Sequence, residues 1–205
     1  AEMPDEMAYR MSYSYYDKNE LNQLLKENSS QIVDSLYQDH KSLFNSNYNN
    51  DVVNKMCFTD INMFMNGLNL TYTDRSSMAA SVEVRVPFID KKLITKGMSI
   101  PGEFKFKNNE SKYILKKIAE KLLPNKIIYR PKASFGAPIR SWISGDLRSM
   151  VDECLSMAQI EKRGVFNYDY IKKIIEDDRK GFVDNAYRIY QLLTIELWFQ
   201  EFIDK

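Results

Sequence analysis

Two stretches of the chain gather side chains able to do chemistry. Residues 130–138 read Arg-Pro-Lys-Ala-Ser-Phe-Gly-Ala-Pro. Two prolines and a glycine predict a stiff loop, and Pro138 fits the first turn of a helix carrying Ile139, Trp142 and Ile143. A lysine ammonium is a compact positive charge suited to phosphate oxygens. A helix start adds backbone N–H donors and a favourable dipole. Lys132, with Arg130 beside it, is therefore a candidate phosphate contact, although charge and spacing alone favour a surface loop with solvated charges. The second stretch runs from Asp74 to Asp90. Val82, Val84 and Val86 alternate there with Glu83 and Arg85. This period of two puts Glu83 and Arg85 on one face of an extended segment. A carboxylate paired with a guanidinium can bind a charged substrate, whereas spacing alone favours a buried ion pair anchoring a helix end.

Other reactive side chains are fewer. His40 is the single histidine, so chemistry needing two histidines is excluded, as is a Cys-Cys-His-His zinc site. With no ligand partners near it in sequence, His40 is expected to face solvent. Cys57 and Cys154 are the only cysteines and fall at core-like helical positions, where a thiol packs as a small hydrophobe. They form no disulfide framework, which points to a reducing, cytoplasmic setting. The lysines of Phe104–Lys107, Lys116-Lys117 and Lys172-Lys173 read as solvated charges on an edge or on polar helix faces.

The elements that would position these residues are mostly helical. The chain has 205 residues, with 29 basic against 28 acidic side chains, a balance that argues against a nucleic-acid partner. No apolar run reaches the ~18 residues of a membrane span. Residues 1–16 lack a period and read as an irregular lead-in. Asp17 and Glu20 predict a capping box ahead of Leu21, Leu24 and Leu25. Ile32, Val33, Leu36 and Tyr37 repeat the helical spacing. Asn45–Asn50 reads as a polar loop. Val53 through Leu68 mark another helix, and Thr73 can cap a short one. Pro87 stops that run and Asp90 restarts it. Asn108-Asn109 signals a turn. Ser111 opens a helix reaching Leu123, with Pro124 as its stop. Asp146 is expected to cap a helix carrying Leu147, Met150, Val151 and Cys154, and Asn167 one carrying Tyr170, Ile171, Ile174 and Ile175. The last element, from about Asp184 to Phe202, is apolar round most of its circumference, as a core helix is.

Taken together, the two stretches resemble the synthetase domain of the asparagine synthetase family, the glutamine-hydrolysing class and its relatives. Residues 74–90 fit that family's D-R-x-S-M-A-x-S-x-E-x-R-x-P-F-hydrophobic-D segment at every fixed position. Residues 130–142 fit its R-P-K-x-x-F-G-x-P-I-x-x-W loop. The resemblance runs from about residue 50 to the C-terminus. It implies a fold: the helical C-terminal portion of a PP-loop (adenine nucleotide alpha hydrolase-like) α/β synthetase domain, without the complete parallel sheet, so that residues 1–205 form a single partial domain. It also implies a reaction. ATP, with Mg2+, activates a carboxylate such as aspartate as an acyl-adenylate, and ammonia derived from glutamine then attacks. By the same resemblance Lys132 is the catalytic lysine that stabilises charge on the phosphates. Glu83 and Arg85 line the substrate site.

The family's S-G-G-x-D-S phosphate loop is not in this sequence, whose seven glycines are nowhere adjacent. Its acidic G-E-G-x-D-E segment and the glutaminase cysteine are not in the sequence either. The chain also begins at Ala1. A C-terminal fragment, inactive alone and binding no nucleotide tightly, is the expectation, with its exposed apolar face favouring self-association as a homodimer. A non-catalytic helical scaffold keeping the family fold is the alternative. Tyr72 stands where many members carry a basic residue, which weakens the case for aspartate as acceptor and leaves amidation of another carboxylate open.

Overall fold

Apolar side chains recur at helical spacing along most of the chain, and helices form there. Of the described residues 68% are helical, and they include one two-stranded sheet, as the mostly helical expectation has it. The computed structural model describes residues 3–26, 30–46, 51–131 and 136–205. The chain divides into two compact units, Ala1–Ser12 with Tyr37–Lys132 and Tyr13–Leu36 with Ala133–Lys205, called units 1 and 2 below.

Unit 2 holds the hydrophobic core. The helix Lys18–Leu24 begins as its sequence predicts: Asp17 accepts from the Glu20 N–H at 2.8 Å while Glu20 accepts from the Asp17 N–H at 2.8 Å. Its end is tied by backbone bonds, Asn167 N–H to the Leu24 carbonyl at 2.8 Å and Lys26 N–H to the Val165 carbonyl at 3.0 Å. Asn167 then caps Tyr168–Arg179 through the N–H groups of Asp169 and Tyr170. Ile171, Ile174 and Ile175 bury one face of that helix against Ala186–Phe202, whose Ile189, Leu192 and Leu193 are also buried. Each such side chain contributes about 1.5–3 kcal/mol relative to exposure.

Two expectations change in this unit. Ala186–Phe202 is buried along one face only, because Trp198 and Phe202 stay exposed. The cap of Arg148–Cys154 is Leu147, not Asp146.

Two ion networks brace unit 2. Arg163 grips Glu196 with both ends of its guanidinium, at 2.8 and 2.9 Å, and Asp204 at 2.7 and 2.6 Å. Arg140 pairs with the buried Asp178 and, at 2.9 Å, with Asp184. Asp178 in turn accepts the Asn185 N–H at 2.8 Å.

Unit 1 departs further from its periodicity. Residues Asp5–Met11 form a helix instead of an irregular lead-in, with Pro4 at its N-cap and Asp5 and Glu6 in its first turn, where acids suit the dipole. The helix carries Glu6 to His40 of Gln38–Phe44, Oε1 to Nδ1 at 2.9 Å, and Tyr9 packs beside the imidazole. His40 is therefore buried, 3% exposed, rather than facing solvent. Asp51 caps Val52–Asp60 and also accepts the Gly102 N–H at 2.5 Å. A Cβ on Gly102 would lie 2.2 Å from the Asp51 carboxylate, so this approach requires glycine.

The helical run continues past Asp60 as a π-helix, Ile61–Leu70, and then as Thr71–Ala79, so Thr73 caps nothing and Gly67 lies inside the run. The wider turns are marked by Thr71, whose hydroxyl donates to the Asn66 carbonyl five residues back at 2.9 Å.

Phe106–Lys107 and Glu110–Ser111 pair antiparallel, Phe106 opposite Ser111 and Lys107 opposite Glu110. Both turn residues, Asn108 and Asn109, have positive φ, a conformation that asparagine tolerates. Ser111 is thus a strand residue, and the next helix is only Tyr113–Ala119. It stops before Leu122, which is 78% exposed. Among the described residues no helix is long and apolar enough to cross a membrane.

Candidate active site

The Asp74–Asp90 stretch folds as a helix end, an irregular arm and a capped restart. Thr71–Ala79 presents Asp74, Arg75 and Ser76 on its exposed side. The Ser77 hydroxyl donates back to the Asp74 carbonyl at 3.0 Å. The helix ends in a Schellman arrangement: Val82 N–H bonds the Ser77 carbonyl at 2.9 Å and Ser81 N–H the Met78 carbonyl at 2.9 Å. That places Ser81 in the left-handed region, φ 57°, where glycine is usual. Relief of this conformation predicts that Ser81→Gly stabilises unit 1 by about 0.5–1 kcal/mol. A rise of roughly 2–4 °C in melting temperature per kcal/mol is the readout, and an unchanged or lower value would contradict it.

Beyond Ser81, residues 82–86 form neither helix nor strand. The arm brings Glu83 and Arg85 to one side, and Arg85 Nη2 meets Glu83 Oε1 at 2.5 Å. The pair does not anchor a helix end inside the protein, as spacing alone favours. Its side chains are 68% and 86% exposed, and Phe88 just beyond is 70% exposed. Both charges are thus open to a ligand, though an exposed pair contributes little stability. Pro87–Ile89 makes a single 3₁₀ turn, and Asp90 then caps Lys91–Met98 through the N–H groups of Lys92 and Leu93, at 2.9 and 3.1 Å. The restart at Asp90 follows the sequence expectation.

Lys132 lies outside the described residues, together with Ala133, Ser134 and Phe135. The structure describes both flanks of its loop. Downstream, Pro138 precedes Ile139–Ser144, whose Ile139 and Ile143 are buried and whose Arg140 is fixed by Asp178 and Asp184. A 270 Å³ cleft lies there among Arg140, Arg148, Arg179 and Lys180. Its cations are largely answered, Arg179 by Asp152 at 2.7 Å and Lys180 by Glu176 at 3.2 Å.

Upstream, Tyr129 ends the one-turn helix Asn125–Ile128, and its hydroxyl donates to Glu120 Oε1. Lys117 donates to the same oxygen at 2.7 Å. These flank contacts were not apparent from spacing. Lys116 and Lys117 read as solvated lysines, yet Lys116 pairs with Glu110 at 2.8 Å and both lie over the Tyr129 ring. Cys154 is buried as expected and burial raises its thiol, whereas Cys57 is half-buried.

Among the described residues no group of three histidine, cysteine or carboxylate side chains could hold a metal ion.

The family profile described as "Asparagine synthase" matches residues 4–200, nearly the whole chain. The chain belongs to the asparagine synthase family. It is 31% identical over 191 residues to asparagine synthetase [glutamine-hydrolyzing] 1 of Bacillus subtilis, covering 93% of this chain and 29% of that protein. It is 47% identical over 72 residues to asparagine synthetase [glutamine-hydrolyzing] 3 of the same organism, 35% of this chain and 12% of that one. Against asparagine synthetase [glutamine-hydrolyzing] of Gallus gallus the identity is 35% over 96 residues, 43% and 17% of the two chains. The chain spans less than a third of the length of each of these relatives. No solved structure matches it. The resemblance read from the two motifs is thereby established as family membership, and the arm and loop flanks described above are segments of an asparagine synthase domain.

Proposed function

We propose that this chain is the C-terminal part of an ATP-dependent amide-forming synthetase, of PP-loop α/β fold once complete, working in the cytoplasm. In that reading ATP transfers its adenylyl group to a carboxylate, aspartate or a related acid, and pyrophosphate leaves. Ammonia released from glutamine then attacks the acyl carbon, AMP departs with the C–O bond, and the nitrogen loses a proton. Lys132 places a fixed positive charge beside the phosphates, where negative charge develops as pyrophosphate separates. Glu83 and Arg85 offer one acidic and one basic group to a zwitterionic acceptor such as an amino acid. Arg85 suits a carboxylate because its planar fork can bind both oxygens.

The observation that carries this reading is the joint presence of the 74–90 and 130–142 motifs, in order, inside a chain matched to the family along residues 4–200. The names of the relatives, all glutamine-hydrolysing asparagine synthetases, support the reaction class. A nucleotide should bind the isolated chain weakly, since the sequence has no pair of adjacent glycines to cradle phosphates. That same feature favours a second reading, a helical scaffold that keeps the family fold without catalysis. In either reading the exposed apolar residues of unit 1, Phe88 and Leu122 among them, favour association with further protein, a second copy included.

The deciding experiment is exchange of labelled pyrophosphate into ATP by the full-length protein, run with a panel of carboxylic acids. Exchange dependent on aspartate or one other acid is expected, and that acid identifies the acceptor. Exchange with none of them, together with no ATP-dependent amide product, would leave the scaffold reading standing and the synthetase reading refuted.

A further inference from the structure

In the 270 Å³ cleft of unit 2, Arg148 is the one cation that meets no acceptor among the described residues. The other three are oriented by acids. Arg140 reaches Asp178 and Asp184 through Nη1 alone, Arg179 reaches Asp152 through Nη2 alone at 2.7 Å, and Lys180 reaches Glu176 at 3.2 Å. A guanidinium carries five N–H donors in a rigid fork. Arg140 and Arg179 therefore each keep Nε and the second terminal nitrogen for another acceptor, and Arg148 keeps its whole fork.

The charge of the cleft is one-sided. Its wall holds four cations against one carboxylate, Asp178. That carboxylate is 4% exposed and already accepts from Arg140 and, at 2.8 Å, from the Asn185 N–H. Asp152, Asp184 and Glu176 do not line the cleft and stand half or more in water, where their charge is screened. Ile143 and Val151, both buried, add an apolar part to the wall. A cleft with charge of one sign and low-dielectric walls concentrates counter-ions.

We propose that this cleft is a binding site for a phosphate group, with Arg148 as the donor left open for it and Arg140 and Arg179 as flanking donors. Three features select that chemistry. The planar fork of arginine matches phosphate oxygens two at a time. Arg140 and Arg179 are held in advance by their carboxylates, so binding orders little beyond the Arg148 side chain. The volume falls just below the ~300–1,000 Å³ of ordinary small-molecule pockets, so the cleft admits a phosphate group rather than a whole nucleotide. The phosphate arrives either as the free ion or as the end of a small phosphomonoester. The site is independent of the synthetase reading and stands equally in a scaffold.

The test is a titration of this chain with inorganic phosphate at constant ionic strength, followed by NMR through the arginine Nε–H signals. Those of Arg140, Arg148 and Arg179 are expected to move on one saturating curve, with a Kd of about 1 mM or tighter. Arg148→Ala should weaken binding about tenfold or more, the effect of losing one charge-assisted contact, and Arg148→Lys should weaken it less. Arg148 is exposed and unpaired, so Arg148→Ala should keep the wild-type melting temperature without phosphate. Arg179→Gln tests the opposite donor and should weaken binding too. Lys162→Ala, whose cation lies outside the cleft beside Asp204, should bind as wild type does. Glycerol 3-phosphate separates the two sources: binding about tenfold tighter than phosphate identifies a phosphomonoester, and equal binding identifies the free ion. Shifts in the wild type that never saturate, or that sodium chloride reproduces, would overturn the proposal. So would a wild-type Kd in Arg148→Ala.

Discussion

Lys132→Ala in the full-length synthetase is expected to lower the rate of amide formation about 100- to 1,000-fold, with the melting temperature little changed. The size follows from the role proposed for the side chain, a preorganised charge where negative charge develops in the transition state, since removing one such donor typically costs that much. Binding of the acceptor acid should survive, since the proposed contact is with phosphate. The loss should therefore appear in kcat and in pyrophosphate exchange more than in KM for the carboxylate. Lys132→Arg should recover only part of the rate, because a planar guanidinium fork does not replace a compact ammonium. Wild-type turnover in Lys132→Ala would sink the assigned role.

Arg163→Ala should give the largest loss of stability in unit 2. Arg163 and Glu196 side chains are 7% and 3% exposed, and removing one partner leaves the other as an uncompensated charge in the interior. Among the described residues only Gln200, at 2.9 Å, would still donate to the Glu196 carboxylate. Chemical denaturation followed by circular dichroism measures this, and a loss under 1 kcal/mol would mean that solvent reaches Glu196 freely.

A pH dependence accompanies the network. Burial pushes the Glu196 carboxyl upward, but the hydrogen bonds from Arg163 and Gln200 outweigh it and hold the group below the ordinary range. Hydrogen bonding to Arg163 lowers Asp204 as well. A carboxyl lowered on folding contributes stability that is complete above its unfolded value, about 4 for these groups, and is lost as pH falls through the folded value. Wild type should therefore lose stability on acidification below about pH 4, and Arg163→Ala should show less of this dependence.

Legibility in the sequence followed the range of the interactions. The capping box at Asp17, the caps at Asp90 and Asn167 and the Asn108-Asn109 turn depend on neighbours two to four residues away, so spacing revealed them. The buried face of Tyr168–Arg179 was equally plain from its isoleucines. What escaped depends on distant partners. His40 is buried because Glu6, 34 residues away, reaches it from a helix that a methionine- and tyrosine-rich segment does not announce. Ser111 joined a strand because Phe106 pairs with it, shortening the helix expected there.

The candidate site divided in the same way. The common face of Glu83 and Arg85 followed from alternation, but their exposure did not, since period two says nothing of what covers the arm. Lys132 was singled out from its motif, while the ties of Tyr129 and Arg140 at the loop's flanks join residues 9 and 38 positions apart.

The division of unit 2 has a consequence for biosynthesis. Arg188 donates to the Tyr15 carbonyl at 2.8 Å, and these partners are 173 positions apart. At a ribosomal pace of ~5–20 residues per second, Tyr15 and the leucines that follow it leave the exit tunnel on the order of ten seconds before their terminal-helix partner exists. The nascent chain must carry that leucine-rich segment without its terminal-helix partner for the whole interval, which makes it the place where premature misassociation would begin.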